Sequence, residues 1–376
     1  MNKTFAVALK ELRQIARDPM SLIMLLGVPT FMLLLYGYAI NFDVRHVALA
    51  VEDRDHSRAA RDLVAAFVNS TYFDRVRDLT PGDDVERVLR LRQAKAVLVI
   101  PEGFADRIGR GRRAEVQMLI DGTDANTAST VLSYAASLVE EENVDLLGHA
   151  LPALAGEALH GEAYRPRVWY NPELRSTNFL VPGLMGFILM ITAVVSTALS
   201  VVREKERGTL EQLRVTSLRP AQLILGKTFP YLLISLVASA LILAAARALF
   251  GVEVRGSYLH LFLATLVYLV GALGLGLLVS SVARSQAVAF QAGALISMLP
   301  AIFLSGFIFP IRSMPAALQA LTYAVPARYF LVIVRGVILK GAGIAPYWEQ
   351  MLFLVLYAAA VFGLAFVRLS RDEARA

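Results

Sequence analysis

"VVREKERGTLEQLRVTSLRP" (Val201 to Pro220) is a short, heavily charged stretch held between two long apolar runs, one ending near Val202 and the next opening near Ala221. Arg203, Glu204, Lys205, Glu206 and Arg207 carry the preceding helix into water with mixed charge, and Gly208 breaks it. Thr209, followed three residues later by Gln212, forms a capping box, so the spacing predicts a new helix from Thr209 to about Thr216 that turns off the earlier axis. Ser217 to Pro220 make the return, with Pro220 in the first turn of the next apolar helix. The stretch reads as a stiff, charged helix presented at a membrane surface.

The sequence on either side explains why a membrane is involved. Of 376 residues, 56% are hydrophobic and only 18% charged, and the mean hydropathy is +0.56, which is too apolar for an ordinary soluble chain. Apolar stretches recur at Met20 to Ile40, Phe179 to Val202, Ala221 to Ala246, Leu259 to Ala283, Ala287 to Phe309 and Met351 to Val367. Each is long enough to cross a hydrocarbon layer of about 30 Å as a helix. The first is longer than a signal-peptide core and lacks a small-x-small cleavage site after Tyr38, so it reads as an uncleaved helix. The expected fold is an α-helical polytopic membrane protein with six transmembrane helices and an inserted α/β extracytoplasmic domain.

Charge sets the expected orientation. Lys3, Lys10, Arg13 and Arg17, then the basic residues of 203–227, Arg284, and finally Arg368, Arg371 and Arg375 fall on one side of a six-span chain. The positive-inside rule places that side, with both termini, in the cytoplasm. The net charge of +6 is thereby explained by membrane flanks and not by nucleic acid. Residues 1–19 hold Phe5, Leu9, Leu12 and Ala16 on one stripe with the cations elsewhere, which predicts an amphipathic helix lying on the inner leaflet. The first span (20–40) leads to a polar insertion, 41–178, of about the size of one soluble domain. Its expected elements are strands at His46–Asp53, Lys95–Pro101 and Ala114–Gly122, and helices at Ser57–Ser70, Asp83–Ala94 and Asn126 to about Leu154. The remaining five spans occupy 179–368, with the charged loop at 203–220, a short tail at 369–376, and two half-helices over 314–343 that dip in from outside and break at Pro326.

The spans carry no Asp or Glu in their interiors, which argues against proton-coupled transport and intramembrane hydrolysis. There are no cysteines, so disulfides and thiolate chemistry are excluded, and no His/Asp/Glu spacing suggests a metal. "GKT" (Gly226 to Thr228) lacks the glycine five positions earlier that a phosphate-cradling loop needs. Lys227 is expected instead to snorkel from a helix end. "GALGLGLLVSS" (Gly271 to Ser281) reads as a small-residue contact between helices.

"EKERGTLEQLRVTSLRPAQLILGK" (Glu204 to Lys227) resembles the first cytoplasmic loop of type-two ABC exporter permeases, and "YNPELRSTNFLVPG" (Tyr170 to Gly183) and "FLSGFIFPIRSMP" (Phe303 to Pro315) are similar to further family stretches in the same order. The resemblance implies a transport permease of a bacterial inner (plasma) membrane, not itself an enzyme. It has no cofactor of its own, while ATP and Mg are bound by a separate ABC ATP-binding subunit. It implies a second permease copy, identical or paralogous, and leaves a periplasmic adaptor open. Glu204, Glu206, Gly208, Thr209, Glu211 and Leu213 would form the coupling region, and Leu9, Leu12 and Arg13 would lie on a connecting helix. By the same analogy the substrate path, for drugs, lipids or other amphipathic compounds, would run past Asn178, Phe179, Met190, Thr192, Ser196, Phe290, Gln291, Ser297 and Phe303. The competing reading is a membrane sensor or scaffold whose outer domain binds a ligand.

Overall fold

In a bilayer a helix is the one open segment that satisfies its own backbone groups, and the long apolar runs adopt it throughout the computed structural model. The structure describes residues 3–39, 46–123, 125–150, 170, 175–208 and 220–374. The chain divides into two units, Met1–Asn41 with Arg175–Ala376, and Phe42–Leu174. The first begins with α1 (Lys3–Ala16) and the first span, α2 (Pro19–Ala39). Between them the Asp18 carboxylate accepts from the backbone N–H groups of Met20 and Ser21, and Pro19 occupies a position where no N–H is missed.

The second unit follows in sequence with β1 (Val47–Asp53), α3 (Arg58–Asn69), β2 (Phe73–Asp78), α4 (Val85–Arg90), β3 (Ala96–Ile100), α5 (Phe104–Gly109), β4 (Gln117–Ile120) and α6 (Ala125–Ala150). The strand order is β2-β1-β3-β4, with β1 parallel to both neighbours and β4 antiparallel to β3. All five residues of β3 are buried, as befits an inner strand covered on both faces. On α3 the stripe Ala60, Leu63, Val64 and Phe67 packs with Val47, Leu49 and Val51 of β1. Strand β2 and helix α5 are additions to the sequence-based expectation. The edge strand β2, "FDRVRD", buries only Phe73, so it carries no alternating apolar signal.

The first unit resumes with α7 (Ser176–Glu206), α8 (Pro220–Phe250), α9 (Tyr258–Val282), α10 (Gln286–Leu299, prolonged by a π turn at Pro300–Leu304), α11 (Ala316–Thr322), α12 (Pro326–Lys340) and α13 (Trp348–Ala374). Among the described residues six helices, α2, α7, α8, α9, α10 with its π turn, and the Ala345–Arg368 segment, are long and apolar enough to cross a membrane. The pair α11 and α12 is bent by 77° at a break that ends on Pro326, whose ring stands at the first helical position. Helices α7 and α9 form the centre. Gly276 of α9 faces the Val194 carbonyl of α7, while Gly271 and Gly274 face Tyr357 and Phe362 of α13. The small residues thus let backbones approach where lipid supplies no hydrophobic drive for association. The buried Tyr268 hydroxyl donates to the Gly186 carbonyl at 2.8 Å, and its ring stacks on Phe330 at 4.1 Å.

Candidate functional site: a charged edge and a lateral groove

At one end of the helical unit, α1 lies against the first turns of α8. Gly226 permits this: a methyl group there would stand 2.7 Å from Val7 Cβ and 3.0 Å from the Thr4 carbonyl oxygen. The face of α1 that is buried is Val7, Ala8, Glu11 and Ile15. It is a different side from the stripe expected on the leaflet: Phe5, Leu12 and Ala16 are exposed within the chain and Leu9 only half-buried. Arg13 is also exposed. Helix-to-helix contact through a glycine notch selects the narrow Val7/Ala8 side and leaves the bulkier apolar side for the bilayer surface.

Within that contact sits a group of four charges. Glu11 and Lys227 are each only 3% exposed. Lys227 pairs with Glu204 at the end of α7, and its Nζ lies 3.6 Å from Glu11 Oε1. Lys10 closes the group, with Nζ 2.9 Å from Glu204 Oε1 and 3.1 Å from Glu11 Oε1. Burial works against the charge on Lys10, but the two carboxylates outweigh it and hold its pKa above the ordinary lysine value. Lys227 therefore does not snorkel to water, and "GKT" lies inside a continuous helix where the Thr228 hydroxyl donates to the Ile224 carbonyl at 2.8 Å. The two flanking carboxylates offset part of what the buried ammonium loses in hydration.

Two residues further on, Glu206 faces a different neighbour. Its carboxylate accepts from the Gln286 backbone N–H at 2.8 Å and from the Gln286 side-chain amide, so it caps the start of α10. Gly208 closes α7 at φ +71°, a left-handed conformation that favours glycine. Thr209, Glu211 and Leu213, and the helix expected over them, lie outside the described residues.

Beside this edge a lateral groove of about 480 Å³ opens between α2, α7, α8 and α10, lined among others by Met24, Val28, Leu199, Tyr231, Thr192, Ser196 and Phe290. The Thr192 hydroxyl donates to the Ile188 carbonyl and that of Ser196 to the Ala193 carbonyl, so both are satisfied within α7 and the wall is mainly apolar, with Arg203, Ser21, Ser200 and Tyr231 as its other polar members. Three residues expected on a substrate path, Thr192, Ser196 and Phe290, are thereby brought together. The others are not. Met190 and Ser297 are buried in helix packing, Gln291 and Phe303 are on the exposed side of the α10 segment, and Asn178 and Phe179 stand in the first turn of α7. There the Arg335 guanidinium lies over the Phe179 ring at 3.8 Å.

Sequence reasoning missed Glu11, Lys227 and Gln286. A signal did exist for the first: Glu11 falls midway between Val7 and Ile15 on one helical stripe, and a carboxylate on an apolar stripe requires a partner.

Residues 19–367 match the family described as ABC-2 family transporter protein. The chain is 33% identical to "Probable multidrug ABC transporter permease YbhS" of Escherichia coli, over 97% of this chain and 96% of that protein. It is 29% identical to "Probable multidrug ABC transporter permease YbhR" of the same organism, over 96% of each. Against "ABC transporter G family member 20" of Dictyostelium discoideum it is 23% identical over 98% of this chain, which spans 50% of that protein. A family match that runs from the first span through the last, on a bundle of six apolar helices, shows that the chain belongs to the ABC-2 family of transporter permeases.

Proposed function

We propose that this permease is the membrane half of an ATP-driven exporter of amphipathic compounds, worked by a separate ABC ATP-binding subunit that holds ATP and Mg. The observation that carries the reading is the charged edge. Helices α1, α7, α8 and α10 are tied together by Lys10, Glu11, Glu204, Lys227 and Glu206, and α7 and α8 are the two helices that the segment 209–219, which resembles the family's coupling loop, joins in sequence. Push on that segment and four helices receive the load. On this reading the edge is cytoplasmic, in keeping with its basic flanks, and the polar insertion 41–178 is extracytoplasmic. A second permease copy, identical or paralogous, completes the pathway.

The apolar groove beside α7 and α10 favours a substrate with a large hydrophobic part, and two relatives are named multidrug permeases. The test is to purify the chain from its native membrane, identify an ABC ATP-binding subunit that comes with it, co-express the two and follow a fluorescent amphipathic cation in inside-out vesicles. Uptake that needs ATP, this chain and the ATPase together is expected. Uptake unchanged when either protein is omitted, or failure of any ATPase to co-purify, refutes the reading.

A further inference from the structure

We infer that Lys227 is a positioning residue that clamps α1, α7 and α8 into one body, so that α1 travels with the second and third spans instead of sliding along them. This rests on the coupling reading above for its consequence in transport, but not for its geometry. The four side chains Lys10, Glu11, Glu204 and Lys227 come from three helices and carry two positive and two negative charges. Their charges balance, and two of the four are almost sealed from water. Lys227 is the member that touches carboxylates on both other helices, Glu11 of α1 and Glu204 of α7.

Directionality follows from the chemistry. A buried, balanced ion set does little for stability compared with an apolar core, but it fixes which partners meet, because losing one member strands the others. Without Lys227, Glu11 and Glu204 face one another with only Lys10, which is half exposed, to answer both. Their repulsion is relieved if α1 lifts away from Gly226. An apolar contact alone, Val7 in the Gly226 notch, would let α1 shift by small steps, whereas the ion set admits one register.

The chain contains no cysteine, so a single Ala8→Cys substitution places the only thiol on the docked face of α1. In the otherwise unchanged protein a membrane-permeant maleimide labels it slowly. Lys227→Met raises the labelling rate by at least about tenfold, the modest end of what stranding a buried charge produces. Lys227→Met combined with Glu11→Gln, which removes one charge of each sign and leaves the Lys10–Glu204 pair between α1 and α7, restores slow labelling, an outcome general misfolding does not give. Should Lys227→Met fail to accumulate, Glu11→Gln carries the test with an intermediate rise. Labelling that stays slow in the single variants, or stays fast in the paired one, overturns the clamp. In the complex, Lys227→Met retains the ATPase and its ATP hydrolysis while export falls at least about tenfold. If the unaltered chain retains no ATPase yet labelling behaves as expected, the exporter reading fails and the clamp stands.

Discussion

Gly276→Ala isolates the closest approach in the bundle. The new methyl would lie 2.6 Å from the Val194 carbonyl oxygen, 2.9 Å from Thr197 Cβ and 3.2 Å from Val194 Cα. Two of those three atoms are backbone, so no rotamer change can relieve the clash. Ordinary carbon–oxygen contact needs about 3.4 Å, which requires α7 and α9 to part locally by about 0.8 Å. Overpacking of this kind costs about 1–3 kcal/mol. Alanine also gains about 1 kcal/mol of helix propensity over glycine, and that gain must be removed from the comparison. Gly363 in α13 supplies the control, because a methyl there meets nothing within 4 Å. Gly363→Ala is expected to leave stability unchanged or raise it. The difference between the two variants is therefore the packing cost itself. Both are read as thermal melts of purified protein in the same detergent, followed by size-exclusion recovery. Equal melting temperatures for Gly276→Ala and Gly363→Ala would refute the inference that glycine sets the α7–α9 spacing.

Tyr268→Phe removes the hydroxyl that donates to Gly186 and keeps the ring stacked on Phe330, so a loss of about 0.5–1.5 kcal/mol is expected in the same melts. Glu206→Ala takes away the acceptor for the Gln286 amide but not the Ser285 hydroxyl that serves Val288; amide exchange should quicken at Gln286 and hold steady at Val288. In the second unit the Ser57 hydroxyl, then the N–H groups of Ala105 and Phe104, bond to the Asp55 carboxylate and hold its pKa below the usual aspartate value, although burial opposes them. A depressed pKa contributes stability that is complete above the unfolded value of about 3.9 and is lost as pH falls through the folded one. Asp55→Asn should then flatten the acid side of the unfolding profile, and an unaltered profile would show that the Asp55 contacts contribute nothing to acid stability.

The spans were legible because a bilayer writes its thickness into sequence: about 20 apolar residues have one structural meaning, and Pro326 marks the break between α11 and α12 in the same way. The inner strands β1 and β3 were legible for a related reason, since burial on both faces makes their runs apolar. What escaped depends on partners remote in sequence. Lys227 by itself is a lysine near a helix end, and only folding brings Glu11 and Glu204 to it; the Lys10–Glu204 pair spans 194 positions. The packed side of α1 was not legible because Phe5, Leu9 and Leu12 outweigh Val7 and Ala8 in hydrophobicity, while the notch at Gly226 that receives the smaller pair belongs to another helix. Of the substrate-path residues, those on α7 and α10 that converge on the groove share no sequence feature that separates them from Met190 or Ser297, which face the packing instead.

Burial is unequal among the spans: α7 and α9 are mostly enclosed by their neighbours, whereas α2, α10 and the final span leave most of their surface uncovered within this chain. A saturation library should reproduce that asymmetry as a tolerance map. Outside the groove and whatever surface a second copy covers, swaps among Leu, Ile, Val, Met and Phe ought to pass nearly unnoticed on the uncovered spans, where fluid acyl chains re-mould around any shape. The same swaps on α7 and α9 should be purged, because solid neighbours cannot re-mould.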